Sequence, residues 1–291
     1  MGEMLSIIWN PDVVAIDLGF IAIRWYSLYW ALGLLAVYIL MHRLFRQQRL
    51  SEEQFEPMFM YCFIGILAGA RLGHCLFYEP GYFLNHPVEM LLPIRETMNP
   101  ERWTAWLTWV PTGNPKTHWA VTGYEGLASH GGTLGLMAAL CLYARKVKLP
   151  LLHVLDNVGI VTPVCAFAIR MGNLMNSEII GRPTDVPWDF IFTRVDMLPR
   201  HPGQLYEALC YAAFFFVGWR LYRRFPKRVG TGYFFGLCLL LIFSSRILIE
   251  YTKENQEAFE NGMLLNMGQL LSIPFVVLGA WCVWRVAKKT A

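Results

Sequence analysis

Ile169-Arg170-Met171-Gly172-Asn173-Leu174-Met175-Asn176-Ser177-Glu178-Ile179-Ile180-Gly181-Arg182 closes an apolar run that begins near residue 151. The run is long enough to cross a bilayer, for which about 20 apolar residues suffice. Its last turns therefore carry Arg170, Asn173, Asn176 and Glu178 at membrane depth. A charged side chain there costs several kcal/mol, so it persists where it is partnered or used. Helical spacing gathers Arg170, Asn173 and Ser177 on one face with Asn176 close by, which predicts a single polar pocket. The competing reading is a polar clamp between helices.

The composition agrees with a membrane setting. The chain has 291 residues, 55% of them hydrophobic, and a mean hydropathy of +0.37, too apolar for an ordinary soluble domain. All seven cysteines lie inside apolar runs without CxxC or metal-like spacing, and read as small core residues. The N-terminus lacks the basic region of a cleavable signal peptide.

Hydropathy predicts an all-α polytopic membrane protein, one integral membrane domain over residues 1–291, with seven spans: 20–41, 56–78, 124–144, 151–174, 205–222, 231–251 and 267–284. Fourteen of the 25 basic residues follow alternate span ends, near residues 43–49, 145–148, 220–228 and 285–289. The positive-inside rule then puts the N-terminus outside and the C-terminus in the cytoplasm. The long connections 79–123 and 175–204 become extracytoplasmic, and tryptophans 103, 106, 109 and 119 suggest an arm at the headgroup layer.

Four arginines remain within spans: Arg24, Arg71, Arg170 and Arg246. This orientation assigns them all to the outer half of the bilayer, with His130 about two turns into the third span. Cations and an imidazole at one depth predict an anion-binding cavity reached from the outer leaflet; snorkelling to lipid phosphates is the bland account of Arg24 and Arg71. Gly65, Gly69 and Gly73, with Gly131 and Gly135, have the spacing of close helix contacts. Beside His130, Gly131-Gly132 is expected to leave room for a substrate.

Several chemistries lack their residues. No GxSxG elbow and no HExxH occurs, neighbouring spans carry no paired aspartates, and the last span has no lysine for a Schiff base. A site rich in arginine with one histidine suits a phosphate ester and a moving proton, which points to phospholipid chemistry or phospholipid binding.

The chain resembles the bacterial prolipoprotein diacylglyceryl transferases along nearly its whole length. The likeness rests on Arg24-Trp25-Tyr26, Gly69-Ala70-Arg71-Leu72-Gly73, His130-Gly131-Gly132, and the signature from Arg170 through Asn173, Asn176, Glu178 and Gly181-Arg182. It continues through Arg200-His201-Pro202, Gln204-Leu205-Tyr206-Glu207, Arg246 with Glu250, and Met267 to Ser272. Ile169, Leu174, Gly203 and Ile242 depart from the usual pattern; a hydroxyl carried by relatives at the last of these is absent here.

The resemblance implies transfer of the diacylglyceryl group of phosphatidylglycerol to the lipobox cysteine of a prolipoprotein signal peptide, in a bacterial inner membrane, with the site open to the outer leaflet. It implies His130, Arg170 and Arg246 as catalytic, His130 as thiol base and the arginines on the departing phosphate. Tyr26, Arg71, Gly131, Asn173, Asn176, Glu178, Gly181, His201, Gln204, Tyr206 and Glu250 are the expected substrate-binding residues, with Glu250 fixing Arg246 four residues earlier. The scheme requires no metal or organic cofactor and no nucleic acid. A lipid transporter or scramblase and a phosphatidylglycerol hydrolase are the alternatives.

Overall fold

The computed structural model describes residues 6–19, 22–92, 94–98, 118–121, 126, 128–254 and 263–290. It is mostly helical, and the described residues form two compact units: Met1–Leu50 with Pro150–Ala291, and Ser51–Leu149. Seven helices of 18 or more residues correspond to the expected spans. Five of them are long and apolar enough to cross a membrane: Trp25–Gln47 (α1), Glu52–Phe77 (α2), Leu151–Asn176 (α6), Tyr233–Glu250 (α8) and Met267–Thr290 (α9). The other two, Ser129–Lys146 (α5) and Gly203–Arg224 (α7), fall short of that measure. Multi-pass membrane character follows from the five.

In the first unit α6 is the central helix, packing on α1, α7 and α8, while α9 packs on α8. The α6 helix starts after Pro150, which stands at the N-cap position without a side-chain cap, and Ser177 stops it in the left-handed region at φ 56°. Near the start, Asp156 is fully buried and accepts backbone N–H groups of Gly230, Gly232 and Phe235, each at 2.9 Å. Those donors lead into α8, so a carboxylate of α6 caps a neighbouring helix across the unit. Gln48, just past α1, bonds Asn157 at 2.7 Å and His153 at 2.7 Å.

The α1 helix begins at Trp25 rather than near residue 20, because Ala22–Arg24 (β3) is extended and pairs antiparallel with Val14–Asp17 (β2). Over the Ser177 end of α6 lies a small sheet in which Phe190–Phe192 (β6) pairs parallel with Ile7–Trp9 (β1) and antiparallel with Pro199–Arg200 (β7). Leu174, Phe190 and Phe192 form a buried apolar cluster there, and the Trp9 indole donates to the Leu174 carbonyl at 2.8 Å.

In the second unit α2 starts with a capping box between Ser51 and Gln54. It packs along α5 on the predicted glycines: a Cβ on Gly69 or Gly131 would overlap the facing helix backbone. The arm after α2 contains both short helices and short strands. Pro80–Phe83 (α3) and Pro87–Leu91 (α4) are short helices, and Ile94–Thr97 (β4) pairs antiparallel with His118–Val121 (β5). Trp103, Trp106 and Trp109 fall outside the described residues. All seven cysteines are free.

Candidate functional site

The polar end of α6 is a chain of side-chain contacts. Arg170 Nη1 donates to Asn173 Oδ1 at 3.1 Å, and Asn173 Nδ2 donates to Glu178 Oε2 at 3.0 Å. Asn176 Nδ2 completes it at Glu178 Oε1, 3.1 Å away. The left-handed turn at Ser177 folds Glu178 back over the last helical turn, which lets one carboxylate collect both amides. From α7, Gln204 donates to the Glu178 carbonyl. Tyr26 of α1 packs against Gly172, where a Cβ would meet its ring at 2.9 Å, and lies within electrostatic reach of Arg170 and Glu178.

A second, buried layer lies behind Arg170. Glu207 of α7 is fully buried, with Oε2 2.7 Å from Arg170 Nε and Oε1 2.9 Å from Lys253 Nζ. The Arg170 N–H is not aimed along the hydrogen-bond direction, so Oε2 is ion-paired by distance yet accepts no directed bond. Lys253 is 1% exposed and also meets Glu250 Oε2 at 3.2 Å. A buried ammonium is retained only with carboxylate partners, and here it has two. This corrects the expected Arg246–Glu250 pair: Glu250 faces Lys253, with Gly268 packed on its carboxyl group. Among the described residues Arg246 makes no hydrogen bond or ion pair, although Tyr211 lies within electrostatic reach of it and hydrogen-bonds Arg170.

The connection before α7 closes on this layer. Gly181 donates to the His201 carbonyl at 3.0 Å and accepts from Arg200 Nη1 at 3.0 Å. A Cβ there would overlap His201 and lie 2.8 Å from the Thr252 carbonyl, so only glycine lets these strands meet. Arg200 is clamped by Asp196 at 2.5 Å and Glu254 at 3.1 Å, and its hydrogen bond holds the Asp196 carboxyl below the usual carboxylate range. His201 Nδ1 lies 3.1 Å from the Tyr206 hydroxyl, which accepts from the Trp188 indole at 2.9 Å. Burial pushes the His201 pKa down.

Six buried side-chain atoms among the described residues lack a hydrogen-bond partner: Asn176 Oδ1, Ser177 Oγ, Asp189 Oδ1, Thr193 Oγ1, Gln204 Oε1 and Glu207 Oε2. All fall between residues 176 and 207. Buried polar groups are normally satisfied, so this concentration sets the segment apart from the rest of the described structure.

The second unit holds Arg71, His130 and Gly131. Arg71 Nη2 donates to the Glu89 carbonyl at 2.7 Å and Nε to the Met90 carbonyl at 3.3 Å, with its guanidinium 4.7 Å from the Phe83 ring centroid. It thus ties α4 to α2. His130 is exposed and stands second in α5, whose first residue is Ser129; it is in the first turn rather than two turns deep. The residues before it are held extended at Ala128. No room for a substrate remains beside Gly131, because the Gly73 Cα would lie 2.8 Å from its Cβ.

Sequence reading therefore found the α6 signature and missed the buried layer. Lys253 carries no role in the sequence reading, and Glu207 stands there only within the Gln204-Leu205-Tyr206-Glu207 motif. The available signal was Glu207 itself, a carboxylate four residues into an apolar helix that needs a counter-charge.

A family profile described as prolipoprotein diacylglyceryl transferase matches residues 13–285. A phosphatidylglycerol–prolipoprotein diacylglyceryl transferase of Bacteroides fragilis is 52% identical over 286 residues, 98% of this chain and 97% of the relative. Proteins of the same name from Tolumonas auensis and Chloroherpeton thalassium are 41% and 38% identical, each over 97% of this chain and 98% and 95% of the relatives.

Proposed function

The chain belongs to the prolipoprotein diacylglyceryl transferase family, and on that premise we propose that it moves the diacylglyceryl group of phosphatidylglycerol to the lipobox cysteine of a prolipoprotein signal peptide. The thiolate sulfur attacks the glycerol carbon, a C–S bond forms, and the C–O bond to phosphate breaks. Glycerol phosphate leaves with the electron pair. This is the transferase step that begins lipoprotein maturation.

The observation that carries the assignment of roles is the state of the two arginines. Arg246 has no partner among the described residues, and Arg170 is half-neutralised by Glu207. Phosphate recognition needs a guanidinium with donors left over, and a developing phosphate charge is best stabilised by donors already in place. Arg246 is the phosphate anchor in this reading, and Arg170 shares the charge that builds on departure. Lys253 holds one oxygen of Glu207, which keeps that carboxylate from closing both oxygens on Arg170. Asn176 Oδ1 and Gln204 Oε1 are acceptors for glycerol hydroxyls of the headgroup. His130, exposed and without a hydrogen bond among the described residues, accepts the thiol proton.

The membrane frame belongs to the same proposal. All seven long helices span the inner membrane, α5 and α7 included, with the N-terminus outside, the C-terminus in the cytoplasm and the site open to the outer leaflet. Support comes from the basic residues, Arg145 and Lys146 ending α5 and Arg223 and Arg224 ending α7.

Purified protein incubated with phosphatidylglycerol and a lipobox peptide tests the function. Thioether-modified peptide with stoichiometric glycerol phosphate is expected by mass spectrometry. Unchanged lipid would indicate a transporter, and diacylglycerol without modified peptide a hydrolase.

A further inference from the structure

The far end of α7 carries a surface feature that the transfer reaction does not use. Phe216, Trp219, Arg220, Arg223 and Arg224 line a groove of about 560 Å³. Their spacing of three, four, seven and eight residues puts them on one stripe of the helix. The stripe is graded: the apolar ring of Phe216, 68% exposed, comes first, then the indole of Trp219, then three exposed guanidiniums. Arg43 of α1 adds a fourth, 5.7 Å from the Trp219 ring centroid. Glu207 and Arg223 are 16 residues apart on this helix, about 24 Å at 1.5 Å per residue.

We propose that this groove holds the headgroup of an anionic glycerophospholipid of the cytoplasmic leaflet, as a bound lipid distinct from the one consumed. The order of side chains matches the order of groups in such a lipid: acyl chain against Phe216, glycerol at the level of Trp219, phosphate among the arginines. Aromatic residues with an amphipathic ring settle at that interfacial level, and basic pockets beside membrane helices on the cytoplasmic side take anionic headgroups. Three guanidiniums without a carboxylate in the groove lining, with Arg43 beside Trp219, leave net positive charge for the ligand to balance. Guanidinium donors also bind phosphate in pairs, which discriminates a lipid with net negative charge from a zwitterionic one whose ammonium would be repelled. The proposal rests on α7 being a span and is independent of the roles given to Arg170, Arg246 and His130.

The test uses the full chain, delipidated in detergent and titrated with phosphatidylglycerol or phosphatidylethanolamine, with retained lipids counted by native mass spectrometry. Wild type is expected to retain one more phosphatidylglycerol than the triple variant Arg220→Gln, Arg223→Gln, Arg224→Gln, and that extra lipid should survive in Arg246→Lys. The triple variant should keep wild-type transfer rate at saturating substrate, which also shows that it is folded. The corresponding triple lysine variant should retain the lipid more weakly. Equal lipid counts in wild type and the glutamine variant would overturn the proposal, as would equal retention of phosphatidylethanolamine or displacement of the extra lipid by soluble glycerol phosphate.

Discussion

The two ends of α6 are both polar and buried, and they differ in how their hydrogen bonds are spent. At one end Asp156 accepts three backbone N–H groups, and Asn157 exchanges two bonds with Gln48. No side-chain atom there is left over among the described buried groups. At the other end Asn176, Ser177, Gln204 and Glu207 each keep an unused atom, and Arg246 has no partner among the described residues. A closed network rigidifies a fold, whereas an open one stores binding capacity that a ligand can use. The first end is a joint between helices, and the second is the end to which the proposed function assigns the headgroup.

The largest effect that separates them should come from Arg246→Lys and Arg170→Lys. Each is expected to lower transfer by about 10² to 10³, the cost of losing one aligned donor to developing charge. Folding, read as a thermal midpoint in detergent, should hardly change for Arg246→Lys, whose side chain makes no hydrogen bond among the described residues. Near wild-type turnover in both variants would reduce the arginines to charge neutralisation.

Next in size is His130→Asn, which keeps a polar side chain but cannot accept a proton. Transfer should fall by about 10² at neutral pH. The wild-type rate should increase with pH, and the variant should lose that increase. An unchanged profile would send the proton elsewhere, with Glu178 or the lipid phosphate as acceptor.

Asp156→Ala probes the closed end. It strips the acceptor from three backbone N–H groups near the start of α8, at about 1–3 kcal/mol for a buried donor left unsatisfied. The expected outcome is a lower thermal midpoint with transfer per folded molecule intact. Loss of turnover without loss of stability would show that both ends of α6 serve the reaction, and the contrast drawn here would fail.

These outcomes bear on what a sequence can disclose. Hydropathy found the long helices because burial in lipid is written residue by residue into composition, and α7 falls short of a span's measure because it carries Glu207, Arg220, Arg223 and Arg224. The α6 signature was legible for the same local reason, with Arg170, Asn173 and Asn176 one turn or less apart. Lys253 was not legible, since its two carboxylates arrive from Glu207, 46 residues earlier, and from Glu250. The Arg246–Glu250 spacing suggested a helical pair that the fold does not make. Spacing says which groups can meet, and long-range packing decides which of them do. Likewise Gly131 looked like open space in sequence, and α2 fills it.

The smallest expected effect concerns His201, which belongs to the open end yet has one nitrogen already engaged. The Trp188 indole can only donate, so the Tyr206 oxygen is its acceptor and the Tyr206 hydrogen is free to point at His201 Nδ1. That fixes neutral His201 with its proton on Nε2, a donor suited to a phosphate or headgroup oxygen. Burial lowers the His201 pKa, only partly opposed by Asp185. The unfolded chain therefore takes up this proton first as pH falls below about 6.5, and stability attributable to His201 is present above that value and declines below it. Asp196 acts in a separate window, since its pKa is depressed by Arg200: its contribution is held above the ordinary carboxylate value and lost only as pH drops beneath it. Thermal midpoints measured from pH 7.5 to 5 should thus fall slightly in wild type and stay flatter in His201→Gln, which cannot titrate. Tyr206→Phe should release Nδ1 to accept from water, bringing the His201 pKa back toward its unfolded value and so shrinking the decline. If Tyr206→Phe leaves the midpoint-against-pH curve of wild type unchanged, the tautomer is not set by this chain of bonds and His201 does not present Nε2–H to the headgroup.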